Sequence, residues 1–198
     1  MKVIGLTGPT GAGKTTVLQV LEKHGAVILD CDAVYYEMLR ENHELKAALE
    51  AAFGDVFLPS GELDRKKLGA MVFEDPARMR RLNGIVYYYM GLEVRRRLQE
   101  AKATGATMVA VDAINLIDSG LGELCDVKAA VLAPEEVRLR RIMARDGIGE
   151  DYARSRIEAQ ETEEYFRRHC SVILENHGSP EDLVRRTEEK LLGGITHG

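Results

Sequence analysis

The stretch Gly8-Pro9-Thr10-Gly11-Ala12-Gly13-Lys14-Thr15 constrains this 198-residue chain more than anything that follows it. Its spacing is Gly-x-x-x-x-Gly-Lys-Thr, the phosphate-binding P-loop pattern. A short apolar run, Val3 to Leu6, precedes it, and a helix-compatible run, Thr16 to Lys23, follows. The glycines let the backbone curl so that several amides aim at one anion, with a helix N-terminus behind them. Lys14 adds a full positive charge near the β- and γ-phosphates, and the Thr15 hydroxyl is placed to hold Mg²⁺. Gly11, Ala12, Gly13, Lys14, Thr15 and Thr16 are therefore the candidate nucleotide-binding residues. An ordinary glycine-rich turn does not account for the full pattern in this position. A dinucleotide-binding fingerprint does not fit either, because Lys14 and Thr16 stand where Gly11-x-Gly13 would need other residues.

The length suits one well-buried core with room for a small subdomain. There are 27 Lys plus Arg against 32 Asp plus Glu, a balance that argues against a general nucleic-acid binder. Cys31, Cys125 and Cys170 are odd in number and far apart, which suggests a reducing, cytoplasmic setting. His24, His43, His169, His177 and His197 are scattered and read as surface or packing residues rather than metal ligands. No stretch approaches about twenty apolar residues, so no membrane span is expected. With the first strand beginning at Val3, no signal peptide is expected either.

Apolar strands alternate with helical segments along the chain. Strands are expected at Val3–Leu6, Ala26–Leu29, Met108–Val111, Val127–Leu132 and Val172–Leu174. Helices are expected from Gly13 to Lys23, from Asp32 to Arg40, from His43 to Phe53 and almost throughout Arg65 to Lys102. In the last of these Asp75-Pro76 forms a cap, and Met79, Leu82, Val86, Met90, Val94 and Leu98 form an apolar stripe. Another helix starts at Pro134, Gly147 and Gly149 interrupt it, and Asp151 to Arg168 is helical again. Ser179-Pro180 caps the last. The pattern implies an α/β fold: a parallel sheet of five strands covered by helices on both faces. The helical stretch between strands two and three is too long for one crossover and reads as an inserted subdomain.

In open parallel sheets ligands sit at the carboxyl ends of the strands. Asp32, after the second strand, is placed to take a proton from an acceptor hydroxyl, with a helix N-cap as the alternative and Asp30 able to serve as that cap. Asp112 follows Val-Ala-Val, where a P-loop protein keeps an acid for Mg²⁺ or its waters; a solvated strand-end Asp is the alternative. Arg138, Arg141 and Arg145 share one helical face, next to the Gly147/Gly149 hinge. They read as a mobile lid whose guanidinium groups close on a transferring phosphoryl, against the alternative of a solvated face paired with Glu135 and Glu136.

With those parts in place, the chain resembles the dephospho-CoA kinase family over nearly its whole length. The resemblance rests on the P-loop, Val27-Ile28-Leu29-Asp30-Cys31-Asp32, Phe53-Gly54, Gly61-Glu62-Leu63-Asp64-Arg65-Lys66-Lys67-Leu68, Val72-Phe73 and Leu82-Asn83. It continues through Arg141, Arg145-Asp146-Gly147, Arg156-Ile157-x-x-Gln160 and Ile173-x-x-Asn176. It implies the P-loop nucleoside-triphosphate hydrolase fold as one kinase domain over residues 1–198. Within that, a helical CoA-binding insertion lies at about 55–104 and a lid at about 138–160. The implied reaction is transfer from ATP, with Mg²⁺, to the ribose 3′-hydroxyl of dephospho-CoA. By resemblance Asp32 and Lys14 are catalytic, Arg141 belongs to the lid, Arg65 and Asp118 lie on the acceptor side and Asn176 lies beside the adenine of ATP.

The departures from the family pattern cluster on the acceptor side. Tyr87-Tyr88 stand where the family has His-Pro, Ile114 to Asp118 replace Pro-Leu-Leu-Phe-Glu, and Cys170-Ser171 replace Ala-Asp. Two other readings therefore stand beside the first: a related kinase with another nucleoside or nucleotide acceptor, and a nucleotide-binding regulator without transfer. Small-molecule substrate, no nucleic acid, no membrane and a monomer or weak homo-oligomer complete the expectation, with Tyr87, Tyr88 and Tyr89 open to a core or a partner.

Overall fold

A computed structural model describes residues 1–193; the expectation for His197 lies outside them. The strands are β1 (Lys2–Thr7), β2 (Val27–Asp30), β3 (Met108–Asp112), β4 (Val127–Leu132) and β5 (Val172–Glu175). The helices are α1 (Lys14–Lys23), α2 (Cys31–Glu41), α3 (His43–Phe53), α4 (Arg65–Val72), α5 (Pro76–Ala103), α6 (Glu135–Asp146), α7 (Glu150–Glu158), α8 (Glu163–His169) and α9 (Pro180–Thr187). The chain divides into two compact units, Met1–Leu29 with Ala101–Gly198, and Asp30–Glu100.

In the first unit the strands form one parallel sheet in the order β2-β3-β1-β4-β5. Leu6 of β1 is in register with Asp112 of β3 on one side and Ala129 of β4 on the other. Strand β1 is thus central, and the strands that follow it go to one side (β2, β3) before the chain moves to the other (β4, β5). Its carboxyl end is the crevice where open α/β sheets take ligands. Alternation along the strands sends Ile4, Leu6, Ala110, Ala129, Val131 and Leu174 into one layer with Val17, Val20 and Leu21 of α1 and Leu183 of α9. Ala130 and Leu132 turn the other way, against Phe166 of α8 and Cys170. Helices α6 and α7 share a smaller cluster of Leu139, Ile142, Ala153 and Ile157.

The segment expected as one helix from Asp151 to Arg168 is two helices. Thr162 accepts a hydrogen bond from the Tyr165 amide at 3.2 Å and starts α8, with Glu163 and Glu164 in its first turn. A threonine cap followed by acids is a start signal, and it overrides the helical periodicity that runs through it.

The second unit is helical, and each of its helices begins on an Asp or Asn side chain. Asp30 takes the amides of Asp32 and Ala33 at 2.9 and 3.1 Å. Asn42 takes that of Leu45 at 2.8 Å, Asp64 that of Lys67 at 2.9 Å, and Asp75 those of Ala77 and Arg78 at 2.9 and 3.1 Å. Of the apolar stripe expected on α5, Met90, Val94 and Leu98 are buried, while Met79, Leu82 and Val86 are half-buried. Tyr88 is 63% exposed. Arg97 joins α5 to α2 by pairing with both Glu93 and Glu37.

The Glu93 carboxyl is held at about 2, chiefly by the hydrogen bond from Arg96, with Arg97 adding to it and burial opposing. A carboxyl depressed in the folded state stabilises the fold above its unfolded value, and that contribution fades as pH falls towards the folded value. Glu93→Gln is therefore expected to melt below wild type near pH 7, with the gap narrowing markedly by about pH 3. A gap that stays constant in melting curves across that range would show that Glu93 acts through packing alone.

Candidate active site

The loop between β1 and α1 keeps Gly8, Gly11 and Gly13 at φ of 132°, 80° and 109°, a region that disfavours side chains. Space forbids them as well. A Cβ on Gly8 would lie 2.4 Å from the Val131 carbonyl oxygen, and one on Gly13 2.4 Å from the Asn176 amide nitrogen. Lys14 Nζ donates to the Gly8 carbonyl at 3.3 Å, which folds the ammonium over the loop.

In a planar trans peptide the C=O and the following N–H point in opposite directions. For an amide to face an anion, the carbonyl of the preceding residue must turn outward and find a donor there. The Thr10 carbonyl accepts from Arg138 Nε at 3.0 Å, and the Gly11 carbonyl from Arg141 Nη1 at 3.2 Å. The Ala12 carbonyl accepts from Asn176 Nδ2 at 2.7 Å and from Arg141 Nη1 at 3.4 Å. Among the described residues the Gly11 and Gly13 amides bond to no protein group, while the Ala12 amide donates to the Pro9 carbonyl at 3.1 Å. Three side chains from outside the loop thus hold its carbonyls from behind.

The acids divide their work. Asp30 is the cap of α2, and Asp32 sits in the first turn with an exposed carboxylate that makes no hydrogen bond or ion pair among the described residues. Asp112 ends β3, and its Oδ1 is shut off from solvent. Thr15, in the first turn of α1, is exposed. A hard cation that takes phosphate and water oxygens needs only one or two protein oxygens beside them, and a threonine hydroxyl with a strand-end carboxylate fits that donor set.

Asp118 is exposed, and its Oδ1 accepts from the Tyr165 hydroxyl at 2.5 Å. Burial, and then this bond, push the Tyr165 hydroxyl well above its ordinary value, so it remains a donor at neutral pH. Both residues line a cavity of about 160 Å³ with Gly8, Pro9, Asn115 and Gln160. Arg65, in the helical unit, lies with its guanidinium 4.8 Å from the centre of the Tyr36 ring. Both border a cavity of about 380 Å³ with Arg40 and Glu62.

The structure alters the sequence reading of the arginine helix. Arg138 is not on a free lid face: it is 9% exposed and bonded to the loop. Glu135 and Glu136 pair with Arg154 of α7, each at 3.3 Å, instead of with the arginines of their own helix. Arg145 pairs with Asp146, which also holds Arg156. Asn176 is 5% exposed and its amide is engaged on the loop backbone. Sequence reasoning placed Arg138 on a lid and Gln160 in a family motif, but it did not find that both bond to Thr10, nor that Tyr165 belongs to this region. Their partners lie far off in sequence, so no local spacing marks them. His24, His169 and His177 bond to neighbouring groups, the Val20 carbonyl, the Tyr165 carbonyl and Glu175.

Removing the Asn176 amide leaves the Ala12 carbonyl with only the longer bond from Arg141. Asn176→Ala is expected to lower stability by about 1–3 kcal/mol and to weaken binding of a fluorescent ATP analogue by about 10-fold. Unaltered affinity in that titration would show that the brace does not set the loop.

The sequence model of the dephospho-CoA kinase family matches residues 2–182. A dephospho-CoA kinase of Geobacter sulfurreducens is 36% identical over 190 residues, 96% of this chain and 96% of that protein. One of Arabidopsis thaliana is 32% identical over 193 residues, 97% of this chain and 83% of that protein. Among solved structures, TT1252 from Thermus thermophilus superposes with a TM-score of 0.77 at 36% identity over 98% of both chains. The dephospho-CoA kinase of Campylobacter jejuni, 22% identical over 98% of both chains, has a TM-score of 0.69 and shares the fold. No helix among the described residues is long and apolar enough to cross a membrane. The chain belongs to the dephospho-CoA kinase family.

Proposed function

We propose that this chain transfers the γ-phosphoryl group of ATP to the ribose 3′-hydroxyl of dephospho-CoA, giving CoA and ADP. The observation that carries the reading is a loop with a lysine over it and two glycine amides that bond to no protein group among the described residues, in a chain whose Asp30 takes the helix cap and leaves the Asp32 carboxylate without a partner among those residues. Relatives that bear the name dephospho-CoA kinase, matched over nearly the full chain, support the acceptor.

The loop amides and Lys14 take up the charge of the β- and γ-phosphates. Asp32 accepts the proton of the acceptor hydroxyl as its oxygen bonds to the γ-phosphorus, and the bond from that phosphorus to the β-γ bridging oxygen breaks to release ADP. Arg141 supplies guanidinium donors to the transferring group, from a lid at about 138–160. Arg65 and Asp118 recognise the acceptor, the helical insertion at about 55–104 serves the same purpose, and Asn176 acts on the nucleotide through the loop beside the adenine. Thr15 and Asp112 would hold Mg²⁺, which when bound neutralises charge across the phosphates. The enzyme works in the cytoplasm, as a monomer or weak homo-oligomer.

A coupled assay of ADP formation over dephospho-CoA, adenosine, AMP and pantetheine phosphates tests the acceptor. Turnover is expected with dephospho-CoA and Mg²⁺; ADP release that ignores the acceptor would sink the proposal, and a preference for another panel member would move it to a related kinase. Asp32→Asn is expected to lose about two decades of kcat while still binding ATP. A near-normal rate would remove Asp32 from proton transfer.

A further inference from the structure

Arg138 is a guanidinium in an unusual setting. It is 9% exposed, and among the described residues it forms no ion pair with a carboxylate. Its Nε donates to the Thr10 carbonyl at 3.0 Å and its Nη2 to Gln160 Oε1 at 2.7 Å. Gln160 uses both ends of its amide on the same loop residue: Oε1 accepts from the Thr10 amide at 3.1 Å, and Nε2 donates to Thr10 Oγ1 at 2.7 Å. Three hydrogen bonds therefore close on one residue of the P-loop from α6 and from the link after α7, and a fourth ties Arg138 to Gln160. Burial lowers the pKa of this arginine, with the Glu135 charge opposing, yet a guanidinium keeps its proton. A buried cation bonded only to neutral oxygens is costly unless something supplies the missing negative charge.

Position says what does. The peptide plane that gives Arg138 its Thr10 carbonyl presents the Gly11 amide on the opposite side, with no protein partner among the described residues. A Cβ at Gly11 would come within 2.9 Å of the Arg138 carbonyl oxygen, so loop and helix backbones are in contact there. We infer that Arg138 and Gln160 are positioning residues for nucleotide binding: they clamp the Thr10 peptide so that the Gly11 amide faces the bound phosphates, and the phosphates offset the buried charge of Arg138. The inference rests on the loop's role in the proposed reaction but not on which acceptor is used. Gln160 also lines the cavity that holds Asp118 and Tyr165, so the clamp joins the loop to that cavity wall.

The test uses the full chain and ATP with Mg²⁺, in calorimetric titrations and melting curves with and without nucleotide. Arg138→Met is expected to bind ATP about 10-fold more weakly while the nucleotide-free protein melts close to wild type, because a buried charge is exchanged for an apolar chain. KM for ATP should rise more than kcat falls. Arg138→Lys restores the charge but not the two-armed donor, and should recover only part of the affinity. Gln160→Ala is expected to lose affinity in the same direction. Thr10→Val, which removes only the hydroxyl, should give a smaller loss and keeps the test open if Arg138→Met does not fold. Wild-type affinity in the Arg138 and Gln160 variants, or a fall in nucleotide-free melting temperature with affinity intact, would overturn the inference. Wild-type ATP binding without turnover of dephospho-CoA would unseat the acceptor alone and leave the clamp standing.

Discussion

A backbone anion site depends on what holds its carbonyls. Each amide turned towards a phosphate turns the preceding carbonyl away, and that oxygen must be satisfied by the rest of the protein. Here the donors come from two distant places. Arg138 and Arg141 are one turn apart on α6, and Asn176 follows β5. Asn176 is itself fixed because its backbone N–H donates to the Leu132 carbonyl at 2.7 Å, which extends the β4–β5 ladder by one more bond. Helix α6 is seated by its cluster with α7. The central strand delivers the loop, but the outer strands and helices shape it.

This explains how much could be read from the sequence. The loop was legible because glycine at three forced φ values and a lysine at fixed spacing leave few alternatives. Helix α3 and strand β4 have the limits that periodicity and turn residues predict, and Ser179 caps α9 through a reciprocal bond with Asp182. Asp30 and Asp32 were both visible, and only the cap geometry separates their roles. The break before α8 was hidden because Thr162 interrupts a segment whose composition remains helical on both sides. The roles of Arg138 and Gln160 were hidden for another reason: their contacts with Thr10 span 128 and 150 residues, a distance no local pattern bridges.

The partners of the arginines sort them by task. Arg78, Arg96, Arg97, Arg145, Arg154, Arg156, Arg167, Arg168 and Arg185 each meet a carboxylate. Most of these pairs are exposed and contribute little to stability individually. Among the described residues Arg138 and Arg141 bond only to loop carbonyls and to one amide oxygen. The acids of their own helix point elsewhere, since Glu135 and Glu136 are taken up by Arg154. In a chain with a formal charge of −5, this local segregation leaves positive charge around the loop, where net composition gives no hint of it.

Arg138 and Arg141 nonetheless differ in their freedom, and the difference follows from what each would leave behind. Arg141 is exposed and holds its carbonyls by bonds of 3.2 and 3.4 Å, at the weak end of the hydrogen-bonding range. If it swings away, the Gly11 carbonyl loses its donor at an exposed position, the Ala12 carbonyl keeps the shorter bond from Asn176, and the freed guanidinium reaches solvent without a desolvation penalty. Arg138 has neither outlet. Moving it would release the Thr10 carbonyl and one of the two donors to Gln160 Oε1, with the guanidinium still buried. Two arginines three residues apart on one helix thus differ in kind: one is locked on the loop, and the other is free to leave it.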